Sequence, residues 1–414
     1  MTGPAPLPPA AGAAVPRRGF DDRVPAAILL LLVIRVVAAM IIPPVRDPGW
    51  PDLVVGGAAL VAASWLLVRV PRSRGRTWAA VAAAVFWLVP CVSALIHGQD
   101  FPVAAAAMAA VAVVLILGPP DSSLVLRTAL AAGAAIVVVC LGYGLIGLLG
   151  ITDTPFHQLP GYERAVLGVP ALDGITLHPN TLGALSAFVI IVGLAVARGN
   201  LRLGTLLLPA AAAVAALWSQ SRIGIGSALV GVLILLLVNR WPGARDRLAG
   251  LVVLIPLIPA VAAWAVVPAR ALTGVVNGRD LAWIPALEAF IRSPVTGYGP
   301  EVLSRAYWRT QPNQWWEPLH AHNQVLQTLA ESGLIGAAAL VALILTAVVA
   351  TFARSGTMAS LLVALLGFLA FQSTVEVPLG LTYFPISYLL PALCLAVFAY
   401  TGDLGRATRP VRER

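Results

Sequence analysis

Long apolar runs broken by short polar stretches set the pattern of this chain from residue 24 to residue 401. A helix needs about 20 mostly apolar residues to cross the ~30 Å hydrocarbon core of a bilayer. Twelve runs approach that length: 24–44, 52–70, 77–96, 101–118, 124–151, 179–197, 202–219, 223–239, 247–268, 333–353, 357–377 and 384–401. The pattern predicts an all-α, polytopic membrane protein of about twelve transmembrane helices, with no internal repeat. It divides the chain into a Pro-, Ala- and Gly-rich disordered tail (1–23), nine spans (24–268), a long loop (269–321), three further spans (322–401) and a basic tail (402–414).

Composition agrees. The chain is 59% hydrophobic and 11% charged, with a mean hydropathy of +0.89, whereas a soluble domain carries roughly 25% charged residues. Cys91, Cys140 and Cys394 lie inside apolar runs, without the spacing of a disulfide framework or a zinc site. The net charge of +9 is carried by arginine, for there is no lysine. With the N-terminus in the cytosol, 18 arginines fall in cytosolic segments and 8 in outer loops, and Arg35 lies within the first span. The positive-inside rule then puts both termini in the cytosol and accounts for the charge without nucleic acid. Twelve of the 18 acids, and all five histidines, fall on the outer side. The chemistry is therefore expected outside the membrane, away from ATP and nucleotide sugars.

Two outer loops are long, 152–178 and 269–321. In the second, Trp283, Leu287, Phe290 and Ile291 recur at i, i+4, i+7 and i+8. That spacing predicts an amphipathic helix lying along the membrane surface. Pro285 must either sit in its first turn or kink it, Ser293-Pro294 ends it, and residues 297–300 form a turn. The loop's tryptophans and tyrosines read either as an interfacial belt or as platforms for sugar rings.

The candidate chemistry gathers in residues 319–336. His320, His322 and Asn323 stand at the head of a helix, and Gln324, Gln327, Thr328 and Glu331 share one polar face of it. Polar groups at a span end are costly and call for a role. Glu331 lies about 180° around the helix from His322, so the two are not a simple acid–base pair. Gly333-x-x-Gly336 predicts the close approach of a neighbouring helix. Two arginines accompany this stretch. Arg222 follows a turn so short that it must lie at or below the membrane surface, and Arg279 opens the aromatic helix. Each reads either as a bidentate phosphate ligand or as an ordinary cation, snorkelling at Arg222 and ion-paired at Arg279.

His322-Asn323, nine residues and Gly333-x-x-Gly336 resemble the signature of the O-antigen ligase and polymerase superfamily. His178-Pro179-Asn180, Ser221-Arg222 and Gly278-Arg279…Trp283…Ser293-Pro294…Gly297-Tyr298-Gly299 precede it in the family's order, over roughly residues 175–340. The resemblance implies a GT-C-like membrane glycosyltransferase architecture in the bacterial cytoplasmic (inner) membrane. It implies an inverting transfer, without metal or cofactor, of a polyprenyl-diphosphate-linked glycan to an acceptor hydroxyl at the outer face. In that chemistry Arg222 and Arg279 would neutralise the diphosphate. An imidazole, ordinarily titrating near ~6.5, suits His322 to take the acceptor's proton. Asn323, His320, His178, Asn180 and Glu331 would support the site or orient the acceptor. The acceptor could be a glycan, a lipid, peptidoglycan or a protein. Ala337-Ala338 departs from the small hydroxyl residues often found after the second glycine in the ligases, and ligase and polymerase both remain open. A transporter is disfavoured by the lack of repeats and the scarcity of mid-span charge, Arg35 excepted; Glu376 is one possible partner for it. A monosaccharide transferase would use Asp47 or Asp52 instead.

Overall fold

The computed structural model describes residues 21–41, 49–70, 73–119, 122–151, 170–198, 203–266, 282–303, 320–380 and 385–402. Their regular structure is helical throughout: α1 (Arg23–Ile41), α2 (Gly49–Arg69), α3 (Arg74–Ile96), α4 (Val103–Leu117), α5 (Ser123–Leu148), α6 (Pro179–Ala197), α7 (Leu203–Trp218), α8 (Arg222–Arg240), α9 (Arg245–Val252), α10 (Leu257–Val266), α11 (Trp283–Arg292), α12 (Gln324–Phe352), α13 (Gly356–Val375) and α14 (Leu389–Ala399). Each of the twelve apolar runs contains helix among its described residues. Among the described residues, eight helical segments have the length and hydropathy to cross a bilayer, and three further apolar helices are shorter. The tails 1–20 and 403–414 lie outside the described residues, as do most of loops 152–178 and 269–321.

Helices α6 and α13 form the centre. Within their most apolar stretches 78% of the residues are buried, against 33% for α12. The outer helices turn Leu60, Val61, Leu229, Leu233, Leu345 and Val349 outward, a surface that only lipid makes inexpensive. All three cysteines are buried and unpaired, as expected.

Three expectations need correction. The ninth run is not one helix: α9 stops at Val252, turns 253–256 follow, and α10 resumes at Leu257. The aromatic helix α11 does not turn its apolar face to the membrane surface. Trp283, Ala286 and Leu287 are buried with Ala260 and Ala263 of α10 and with Leu326 and Ala330 of α12, while Ile291 is exposed. Finally, Arg35 pairs with Asp52 rather than Glu376. Arg35 Nε donates to Asp52 Oδ1, Tyr388 Oη donates to Oδ2 at 3.1 Å, and the guanidinium lies over the Tyr388 ring. That ion pair is almost completely buried.

The Gly-x-x-Gly element also differs from its expected use. Helix α12 starts at Gln324, well before the tenth apolar run, and breaks at Gly333, whose backbone stands at φ 58°, ψ −153°. What approaches there is the turn segment 293–299, not a helix. Tyr298 and Gly299 donate to the carbonyls of Ala330 and Glu331, and Leu334 and Ile335 donate to those of Pro294 and Val295. The break frees those backbone groups, and the turn satisfies them. A Cβ on Gly333 would lie 2.5 Å from the Val295 carbonyl oxygen, and one on Gly297 would lie 2.2 Å from Ser332 N. On its far side the turn is held by α3 and the residues just after it: Ser93 and Gln99 donate to the carbonyls of Thr296 and Tyr298, and His97 stacks on the Tyr298 ring. The pairing of 293–299 with α12 fixes the end of α11 beside the break at Gly333.

Candidate functional site

Helices α6, α8 and α12 all start at one end of the bundle, where α13 ends. Each start is capped by a side chain that accepts backbone N–H groups: His178 from Asn180, Ser221 from Gly224, and Asn323 from Val325 and Leu326. Each cap is preceded by a left-handed residue, Leu177 (φ 60°), Gln220 (φ 54°) and His322 (φ 50°). These are the non-glycine residues of positive φ in the described chain. Such conformations cost free energy and tend to collect at functional sites. Here all three turn the chain sharply into a helix that opens on the same place.

Glycines bring α6 and α8 together. A Cβ on Gly224 would stand 2.6 Å from the backbone of Gly183, so their N-termini meet. Ser221 Oγ donates to Asn180 Oδ1 at 3.0 Å, and Asn180 Nδ2 donates to Glu376 Oε1 at 2.8 Å. The other carboxylate oxygen, Oε2, lies 3.7 Å from His322 Nδ1 and 3.8 Å from His320 Nε2. The two imidazoles meet edge to face with centroids 4.1 Å apart. His320 Nδ1 accepts the backbone N–H of His322, which leaves its Nε2 turned to the carboxylate. His178 uses its Nδ1 in the same way toward Asn180. A cavity of about 90 Å³ opens beside this cluster, lined by His178, Asn180, Thr181, His320, Glu376 and Ser387 among others.

The structure brings together His178, Asn180, His320, His322 and Asn323, all expected from the sequence. Asn323 is completely buried, and its amide donates to the carbonyls of Pro256 and Thr374. Its polar atoms are thereby taken up in holding α12 against α13 and the α9–α10 turn. Arg222 is exposed at the first position of α8, next to Ser221. Glu331 turns to a different partner, accepting from Gln327 Nε2, and Gln327 Oε1 accepts the N–H of Ala321. Its contribution is to the loop that carries the histidines. Arg279 lies outside the described residues. Sequence reasoning missed Glu376 and Ser221 as members of the cluster. Glu376 was visible as one of the twelve outer-side acids, and Ser221 as the residue before Arg222.

The arrangement offers three chemical capacities. The starts of α6, α8 and α12 present the positive ends of their dipoles and suit an anion such as a phosphate. The imidazoles beside a carboxylate suit proton transfer. His320, His322 and Glu376 also offer one ligand atom each within 4.8 Å of one another, a set that could hold a metal ion.

Residues 187–341 match the family model described as O-antigen ligase. Over that stretch the chain is similar to the O-antigen ligases. A comparison with curated proteins finds no match. The matched stretch takes in α6 from its third turn, all of α8, and the His322–Gly336 segment, so it covers Ser221, Arg222, His320, His322 and Asn323. His178, Asn180 and Glu376 lie beyond its ends, although Asn180 and Glu376 are joined to it by hydrogen bonds or close charge contacts. The stretch similar to the O-antigen ligases thus lies within a chain whose described residues hold eight helical segments long and apolar enough to cross a membrane, as a multi-pass membrane protein requires.

Proposed function

We propose that the protein transfers a glycan from a polyprenyl diphosphate to an acceptor hydroxyl, inverting the anomeric centre, at the outer face of the bacterial cytoplasmic membrane. The observation that carries this reading is the meeting of three helix starts with the His320–His322–Glu376 cluster. The acceptor oxygen attacks the anomeric carbon while its proton passes to His322. The bond from that carbon to the diphosphate oxygen breaks, and the diphosphate departs with the electron pair. Glu376 balances the imidazolium that forms, as a carboxylate beside a general base does. Asn180 and Ser221 hold Glu376 in place and are positioning residues, as is Asn323. The dipoles of α6, α8 and α12, with Arg222 and Arg279, offset the charge growing on the leaving group. His320 and His178 border the cavity beside Glu376 and orient the acceptor, and Glu331 supports the loop that carries His320. No metal takes part in this reading, and nucleic acid is not a partner. The arginine count of 18 against 8 supports cytosolic termini and an outer active site.

A bacterium carrying only His322→Ala, with the protein level confirmed, tests the proposal. Its polyprenyl-linked glycans are extracted and sized. Long chains left on the lipid carrier identify a ligase, and single repeat units in place of long chains identify a polymerase. An unchanged lipid-linked pool contradicts glycan transfer.

The spacing of His320, His322 and Glu376 favours a second reading, in which the three hold a divalent cation that activates the acceptor hydroxyl. Chelator separates the two: transfer by purified protein persists in it under the first reading and stops under the second.

A further inference from the structure

A second cavity, about 540 Å³, runs between α3, α12, α13 and α14. That is the size of a small-molecule site. Its walls are apolar, with Leu343, Leu366, Leu369, Leu395 and Phe398 among them. One end reaches Gln324 and Leu379 beneath the histidine cluster; the other reaches Arg76, Arg354 and Thr401, at the opposite end of the bundle.

The far end is built from charge. Arg354 follows α12 and lines the cavity, and its buried Nε finds no hydrogen-bond partner among the described residues. Its carbonyl accepts from Arg245 Nη1 at 2.8 Å, bringing a second guanidinium beside it. Arg76, in the first turn of α3, caps the end of α4 by donating to the carbonyls of Ile116 and Gly118. A buried guanidinium N–H with nothing to donate to is costly, and an anionic oxygen is its best partner. An apolar slot between helices that ends in arginines has the chemistry of a phospholipid site, with chains in the slot and phosphate at its mouth.

From this geometry we infer that the cavity binds an anionic phospholipid of the leaflet opposite the His322 cluster, its phosphate held by Arg354 with Arg76 nearby. The occupant is a resident lipid, distinct from the glycan donor, whose diphosphate belongs at the other end. By filling the gap beside α12 it would brace the helix whose start carries the histidines.

The test is lipid retention on full-length protein purified in detergent, read by native mass spectrometry, with phosphatidylglycerol, phosphatidylcholine and undecaprenyl phosphate as probes. Wild-type protein retains phosphatidylglycerol about tenfold better than phosphatidylcholine, the factor that ~1.4 kcal/mol supplies. Arg354→Gln abolishes that preference, Arg354→Lys keeps most of it, and Ala350→Phe, which fills the slot, lowers retention of both phospholipids. Equal retention of the two phospholipids by wild type overturns the inference, as does a preference that survives Arg354→Gln. Displacement of phosphatidylglycerol by undecaprenyl phosphate also overturns it, by giving the slot to the donor's chain. Because the readout is binding, it stands or falls apart from glycan transfer.

Discussion

At the scale of single residues, the site depends on side chains whose partners are far away in sequence. Glu376 is held by Asn180 from α6 and faces both histidines ahead of α12. Asn180 is in turn held by Ser221, which also caps α8. Ser221→Ala therefore removes two bonds at once. Loss of the cap alone costs about 1 kcal/mol, which lowers the melting temperature slightly. Loss of the hold on Asn180 releases Glu376, so transfer falls by more than the change in stability explains. Ser221→Thr, which restores the hydroxyl, is expected to recover most of both. Thermal unfolding in detergent set beside a transfer assay checks this. His322 shows the other use of a residue. Its left-handed backbone makes the turn into α12 while its ring meets Glu376, so a substitution there disturbs chemistry and geometry together.

Among the elements, α12 decides most. Its break at Gly333 lets turn 293–299 hydrogen-bond into the helix, and no residue with a Cβ fits between Val295 and Gly297 at that φ and ψ. Gly333→Ala is expected to cost at least about 1–3 kcal/mol from backbone conformation alone, with the contact to the Val295 carbonyl added. Reduced thermal stability with α11 detaching, seen as faster amide exchange over 283–299, is the predicted result. The helices themselves were legible, because twelve apolar runs leave a polytopic bundle little choice. So were the elements His178–Asn180, Ser221-Arg222 and His322-Asn323, since polar residues just before an apolar run are helix starts as well as candidate chemistry. The partnership of Glu376 with the histidines was not legible: an acid at a span end looks alike whether it faces lipid headgroups or an imidazole. The pairing of 293–299 with 330–335 was hidden for a related reason. It is made of backbone hydrogen bonds, which leave no side-chain pattern, and its glycines read equally well as a helix contact.

At the scale of the molecule, the site at one end of the apolar bundle is accompanied by a buried polar group, Arg35–Asp52–Tyr388, between α1, α2 and the residues before α14. That group ties α1 and α2 to the residues before α14, next to Ser387, which lines the site cavity. Arg35→Ala leaves Asp52 buried without its cation and is expected to cost about 3–5 kcal/mol. The Arg35→Met, Asp52→Leu double substitution should cost much less, and a double-mutant cycle on melting temperatures measures the difference. The site is assembled by the same bundle: α6, α8 and α12 start where α13 ends, so that caps, carboxylate and imidazoles meet only in the folded whole. The most direct measurement of that convergence is glycan transfer from a polyprenyl diphosphate donor by purified, reconstituted protein, comparing Glu376→Gln with Glu331→Gln. Loss of about 10²–10⁴-fold is predicted for Glu376→Gln, with little further loss when His322→Ala is added, because the two act as a unit; Glu331→Gln should retain most activity. Transfer by Glu376→Gln at the wild-type rate would contradict the pairing of Glu376 with His322 as the machinery of proton transfer.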